Sequence, residues 1–196
     1  PKERAQALCW VFHTMGDLHQ PMHVSDLFSE EFPAGNAAAT MSYVQDPVSG
    51  TPIPLHILWD MNALRSQKLE DVDRYAEELM RKHPRSALSE LKEHPFNGAA
   101  SFHEWARESY RISADWAYEG VETRPDPDMG QDTDRLVVQN MVKFILEGIA
   151  PVDEAPQLPD GYWEKLQLTT AQRITPGGLP HGRSCTGGGR QYRGAE

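Results

Sequence analysis

The chain has 196 residues and a formal net charge of −10. That length accommodates one domain with a single core. It has no run of about 18 apolar residues, which excludes a membrane-spanning helix, and the acidic balance excludes nucleic-acid binding through a broad basic surface, though not a metal enzyme whose cations meet phosphate locally.

Pro1, Lys2, Glu3 and Arg4 are polar and run directly into a predicted helix, without the apolar segment of a signal peptide. The helix spans Glu3 to about Gly16, where Ala5, Leu8, Cys9, Phe12 and Met15 recur at steps of three and four. This pattern places Cys9 as a buried thiol. With Cys185 it makes two cysteines, too few for a disulfide framework. Gly16 and Pro21 bound the helix. His19, Gln20 and Pro21 form its exit turn, with His19 as a polar turn residue.

Residues 25–54 form a long connection rich in Pro and Gly, with a possible short strand over Ala37 to Gln45. A second helix is predicted from Leu55 to about Arg65. A third covers Glu70 to His83, with Val72, Tyr75, Ala76, Leu79 and Met80 on one face. A short one follows over Ser86 to Glu93. Ser101 to Glu119 carries a broad apolar stripe of Phe102, Trp105, Ile112, Trp116 and Ala117, opened by a Ser101/Glu104 capping box. After a Pro/Asp loop over 123–130, Asp134 to Ile149 reads as a helix with Leu136, Val137, Asn140, Met141, Phe144 and Ile145 inward. Pro151 to Pro159 is a linker, and Asp160 caps a last helix ending near Ile174. From Pro176 the chain turns Gly- and Arg-rich and loses apolar periodicity. The fold is therefore expected over 1–175 and a disordered tail over 176–196. The tail reads as a frame error or fusion scar, with an Arg/Gly nucleic-acid-binding tail as the alternative.

Chemistry is concentrated between His13 and Asp60. His13 and Asp17 are four residues apart, as are His56 and Asp60, and His23 follows closely on Asp17. On a helix that spacing puts two side chains on one face, one turn apart. A single such pair is ordinarily a hydrogen bond or weak ion pair. Two pairs and a third histidine, set among Val11, Phe12, Met15, Leu55, Ile57, Leu58 and Trp59, suit a metal: it neutralises charge that would be costly in an apolar setting. Imidazole nitrogen and carboxylate oxygen bind zinc at about 2.0–2.2 Å.

The run HTMGDLHQPMH, then Gly35-Asn36, then LHILWD resembles the S1/P1 nucleases, whose pattern is HxxGDxHQPLH, GGN and LHxxWD. The resemblance is close over the first third of the chain and extends more weakly to about Ile174. Trp105 to Ser109 also fits a WAxES-like helix start in that family. The chain departs from the pattern at FPAGNAAAT, where a DRGGN-like run is expected.

The resemblance implies an all-α fold of the phospholipase C/P1 nuclease type, with helices around a zinc cleft. It implies a trinuclear zinc cluster, with His23, His56 and Asp60 as the full protein ligand set of one zinc and His13 and Asp17 as part of a second site, Asp17 bridging. Asn36 would lie near the bound base, or else is a turn residue. The remaining family ligands lie upstream, so the chain is expected to begin inside such an enzyme and to be inactive or nearly so alone. The implied activity is hydrolysis of single-stranded DNA and RNA to 5′-phosphorylated products, with 3′-nucleotidase activity. The implied protein is a secreted or periplasmic monomer with no membrane partner. Zinc phospholipase C is the nearest alternative, disfavoured by Asp60 and by the long gap before His56. A non-catalytic zinc-binding remnant is the other.

Overall fold

The computed structural model describes residues 2–66, 68–84, 98–127 and 133–186. Among the described residues there are six α-helices: α1 (Lys2–His19), α2 (Leu55–Met61), α3 (Leu69–Lys82), α4 (Ala99–Ile112), α5 (Thr133–Glu147) and α6 (Tyr162–Thr186). A 3₁₀ turn, Pro21–Val24, follows α1, and a π-helical turn, Ser113–Ala117, extends α4. The fold is all-α in class, as expected, with one small sheet. Its strands β1 (Ser42–Gln45), β2 (Pro52–Pro54) and β3 (Arg124–Pro125) lie in the order β2-β1-β3, both pairings antiparallel.

The core forms around α2. Leu55, His56, Ile57, Leu58 and Trp59 are all buried. A helix apolar on every side must be surrounded. The sheet residues Val44 and Ile53 cover part of it, and Met22, Ala117, Tyr162 and Leu166 join the same cluster. The large aromatics keep their polar ends satisfied. The Trp59 indole N–H donates to the Tyr162 hydroxyl at 3.0 Å, which donates to the Ala117 carbonyl at 2.8 Å. Asn62, just beyond α2, donates to the Trp59 carbonyl and to Thr170 Oγ1, pinning α2 to α6.

Several expectations are corrected. α1 runs through Gly16 to His19, because the first helix-breaking residue is Pro21. Cys9 is exposed, as are Leu8 and Phe12; of the α1 residues only Met15 and His19 are buried. His19 is thus a buried residue: its Nδ1 bonds the Met15 carbonyl at 2.8 Å and its ring packs on Trp105. α2 stops at Met61, short of Arg65. α4 starts after Gly98 at φ 56°, with no side-chain cap, so Ser101 sits inside the helix. In α3 only Leu79 is buried, while Val72 and Met80 are exposed. In α5, Ile145 is exposed, while Met141 and Phe144 pack on the core. The strand expected over Ala37 to Gln45 is confined to its last four residues. The last helix continues past Ile174 to Thr186, through a Gly/Pro-rich stretch of low helix propensity for which the sequence offers no local cause. Residues 187–196 and the helix expected over Ser86 to Glu93 lie outside the described residues. No described helix is long and apolar enough to cross a membrane.

Candidate metal centre

Three segments deliver five side chains to one region. α1 supplies His13 and Asp17, the 3₁₀ turn supplies His23, and α2 supplies His56 and Asp60. His23 Nε2 lies 3.6 Å from Asp60 Oδ1, and His56 Nε2 lies 3.5 Å from Asp60 Oδ2. The two imidazoles meet edge to face, with centroids 4.5 Å apart. Among the described residues this is the group whose ligand atoms converge: one atom from each of His23, His56 and Asp60 lies within 4.8 Å of the others. Asp17 Oδ1 is 4.0 Å from His23 Nε2, and Asp17 Oδ2 is 3.5 Å from His13 Nε2. Asp17 therefore stands between the triad and His13, the most exposed of the five.

The surroundings orient the ligands. His56 is buried and its Nδ1 lies 2.7 Å from the Ala38 carbonyl. A carbonyl only accepts, so Nδ1 carries a proton and Nε2 is turned toward Asp60. Burial pushes the His56 pKa below its ordinary value, outweighing Asp60 and the Ala38 bond. His23 moves the other way: the hydrogen bond to Asp60 raises it, against the effect of burial. Burial pushes the Asp60 carboxyl up, but His23, His56 and Gln20 together hold it below its ordinary value. Gln20 is a residue that sequence reasoning left in the turn. Its Nε2 donates to Asp60 Oδ1 at 2.9 Å and its Oε1 accepts from the Met22 amide. One side chain thus caps the turn bearing His23 and steadies the carboxylate of Asp60.

Ala38 owes its position to a turn of unusual geometry. Ala37, Ala38 and Ala39 all have positive φ, at 51°, 56° and 66°. L-residues pay about 1–2 kcal/mol each in that region, so the turn must be held from outside. Asp26 Oδ1 accepts from the Asn36 and Ala38 amides, and Asn36 Oδ1 accepts from the Leu27 and Ala39 amides. The Asn36 amide group donates to Ser42 Oγ. Asn36 is fully buried, and its side chain organises the turn.

Beside the triad lies a cavity of about 440 Å³, bordered by Asp17, Gln20, His23 and Asp60 and, on its apolar side, by Phe12 and Ile174. Its size is in the range of small-molecule sites.

The family model for S1/P1 Nuclease matches residues 1–179, most of the chain. The chain belongs to the S1/P1 nuclease family. The matched span contains His13, Asp17, His23, His56 and Asp60. Among curated proteins, Endonuclease 1 of Arabidopsis thaliana is 26% identical over 125 residues, covering 60% of this chain and 38% of that protein. The chain thus spans about two-fifths of the length of the curated relative it matches. No solved structure matches it.

Proposed function

We propose that this S1/P1 nuclease chain binds zinc through His23, His56 and Asp60 and serves the hydrolysis of phosphodiester bonds in single-stranded DNA and RNA, giving 5′-phosphorylated products, with 3′-nucleotidase activity. The carrying observation is the convergence of two imidazole Nε2 atoms and one carboxylate at 3.5–3.6 Å, with the buried His56 ring oriented by the Ala38 carbonyl. Two histidines and a carboxylate are a recurrent ligand set for catalytic zinc, leaving a position open. His13 and Asp17 would hold part of a second position, with Asp17 lying 3.5 Å from His13 Nε2 and 4.0 Å from His23 Nε2.

Zinc, when bound, supplies a Lewis acid that neutralises phosphate charge and lowers the pKa of water from about 15.7 toward 7. The residues do the rest. Gln20 fixes the carboxylate plane of Asp60, and the Ala38 carbonyl fixes the ring of His56. The cavity beside Phe12 and Ile174 admits an unstacked nucleotide, which single strands present and duplexes do not. An acidic chain can act on phosphate this way because the attraction is local to the metal. The closing experiment compares His56→Ala with His83→Ala, in a protein carrying the complete family domain. His56→Ala is expected to lose zinc and most single-strand cleavage, and His83→Ala, at the end of α3, to keep both. Equal zinc content and activity in the two would overturn the assignment.

A further inference from the structure

The WAxES-like segment, Trp105 to Ser109, contributes none of the five clustered side chains, yet its atoms surround one buried cation. Arg173 of α6 is 7% exposed. Its Nη1 pairs with Glu108 Oε2 at 2.7 Å, and its Nη2 donates to the Trp105 carbonyl at 3.1 Å and to Ser109 Oγ at 2.9 Å. Positions 105, 108 and 109 share one helical face, which is why this spacing can encircle a guanidinium.

The cluster reaches the end of α1. Ser109 Oγ donates to the Leu18 carbonyl at 2.6 Å, and Arg173 Nε donates to the His19 carbonyl at 3.4 Å. The Asp17 carbonyl accepts from the Gln20 amide. These are carbonyls of the last turn, which a helix cannot satisfy internally, and a cation there also complements the helix dipole. Glu108 offsets the Arg173 charge inside the fold. The next residue along the chain is Gln20, whose side chain holds both Asp60 and the His23 turn. Arg173 and Gln20 border the same cavity.

We infer that Arg173 and Ser109 are positioning residues for the metal site: they cap the C-terminal end of α1 and so fix Asp17, Gln20 and His23 relative to α2. This rests on the zinc reading above. Neither residue touches the metal position; each acts through the backbone of Leu18 and His19. Lysine at 173 keeps the charge but loses the fork that serves four acceptors at once.

The test uses Arg173→Lys, Ser109→Ala and a control, Leu79→Ala, whose helix α3 contributes nothing to the site. For each protein, zinc affinity is measured by chelator competition, the visible absorption of the cobalt-loaded form is recorded, and the metal-free protein is melted. Loss of an outer partner of a ligand shell weakens metal binding about 10–100-fold. Arg173→Lys is expected to lose about tenfold in zinc affinity and to change the cobalt spectrum; Ser109→Ala follows in the same direction and carries the test if the lysine variant does not fold. Leu79→Ala is expected to melt lower and yet bind metal as the unsubstituted chain does. Unchanged affinity and spectrum in both site variants, or an equal loss in Leu79→Ala, would overturn the positioning role. Failure of the unsubstituted chain to bind either metal would instead overturn the zinc reading itself, and this inference with it.

Discussion

His13, Asp17, His23, His56 and Asp60 meet because short spacings on helical segments fix the direction of each side chain. Four residues on a helix fix a direction, and two such pairs flanking a third histidine leave little freedom. Their partners were not legible in the sequence. Gln20 reaches Asp60 across forty residues, and Ala38 serves His56 through a backbone carbonyl that every residue type possesses. Cys9 was misplaced because periodicity reports a shared face, not whether a neighbour covers it. Asp46 is a further residue that spacing gave no reason to single out. It is buried and receives Arg65 through both guanidinium nitrogens, at 2.5 and 2.8 Å. Burial pushes its carboxyl up, but Arg65 and the donors of Val48 and Ser49 overcome this and hold it below the ordinary value of 3.8. A depressed folded-state pKa means stability that is present above the unfolded value and lost as pH falls through the folded one. Asp46→Asn is therefore expected to cost about 1.5–2 kcal/mol at pH 7, the scale for charge-assisted hydrogen bonds to a half-buried partner. The gap between variant and parent should narrow below about pH 4. Urea midpoints at pH 7, 5 and 3 check this, and a gap that stays constant over that range would count against it.

Among the elements, the helices were predictable and the connection between Ser25 and Pro54 was not. α3, α5 and, together with its π-helical turn, α4 lie within two residues of their expected bounds, since apolar periodicity over a dozen residues constrains a helix well. The connection instead depends on Asp26, Asn36 and three left-handed alanines. Alanine carries no local signal for positive φ, so the turn exists only through its tertiary bonds. The sequence did retain Gly35-Asn36 from the family pattern, and the structure explains the glycine. Gly35 has φ +90°, and a Cβ there would lie 2.5 Å from Asp26 Oδ2 and 2.9 Å from Asp26 Cγ. Gly35→Ala is thus expected to displace the carboxylate that holds the Asn36 and Ala38 amides. The backbone term alone costs about 1–2 kcal/mol. Because Ala38 orients His56, the variant should also bind zinc about tenfold more weakly. Calorimetric melting with zinc competition measures both, and a variant that melts lower while binding zinc normally would uncouple the turn from the site.

For the molecule as a whole, metal and fold are expected to be linked. The three clustered ligands come from segments separated in sequence, the 3₁₀ turn and α2, and α2 is the centre of the core. An ion held there binds the folded chain and not the unfolded one, so it stabilises by mass action: about 2.7 kcal/mol when zinc is a hundredfold above its Kd. For a chain of this size each kcal/mol moves the midpoint by about 2–4 °C, so saturating zinc should raise Tm by about 5–10 °C, and a chelator should reverse the rise. Stoichiometry follows from ligand count. Among the described residues one group offers three converging ligands, whereas His13 and Asp17 add only a pair, half of it already facing His23. Equilibrium dialysis of the 196-residue chain should therefore give about one tightly held zinc, with further zinc binding only at much higher free concentration. In-line cleavage of a phosphodiester is served by metals about 3.5–4 Å apart, so this chain with one zinc should cut single-stranded DNA slowly or not at all, and rate should rise with free zinc rather than saturate at one equivalent. Rapid, chelator-sensitive cleavage at one zinc per chain would show that the triad alone suffices, and that Asp17 and His13 have some other role.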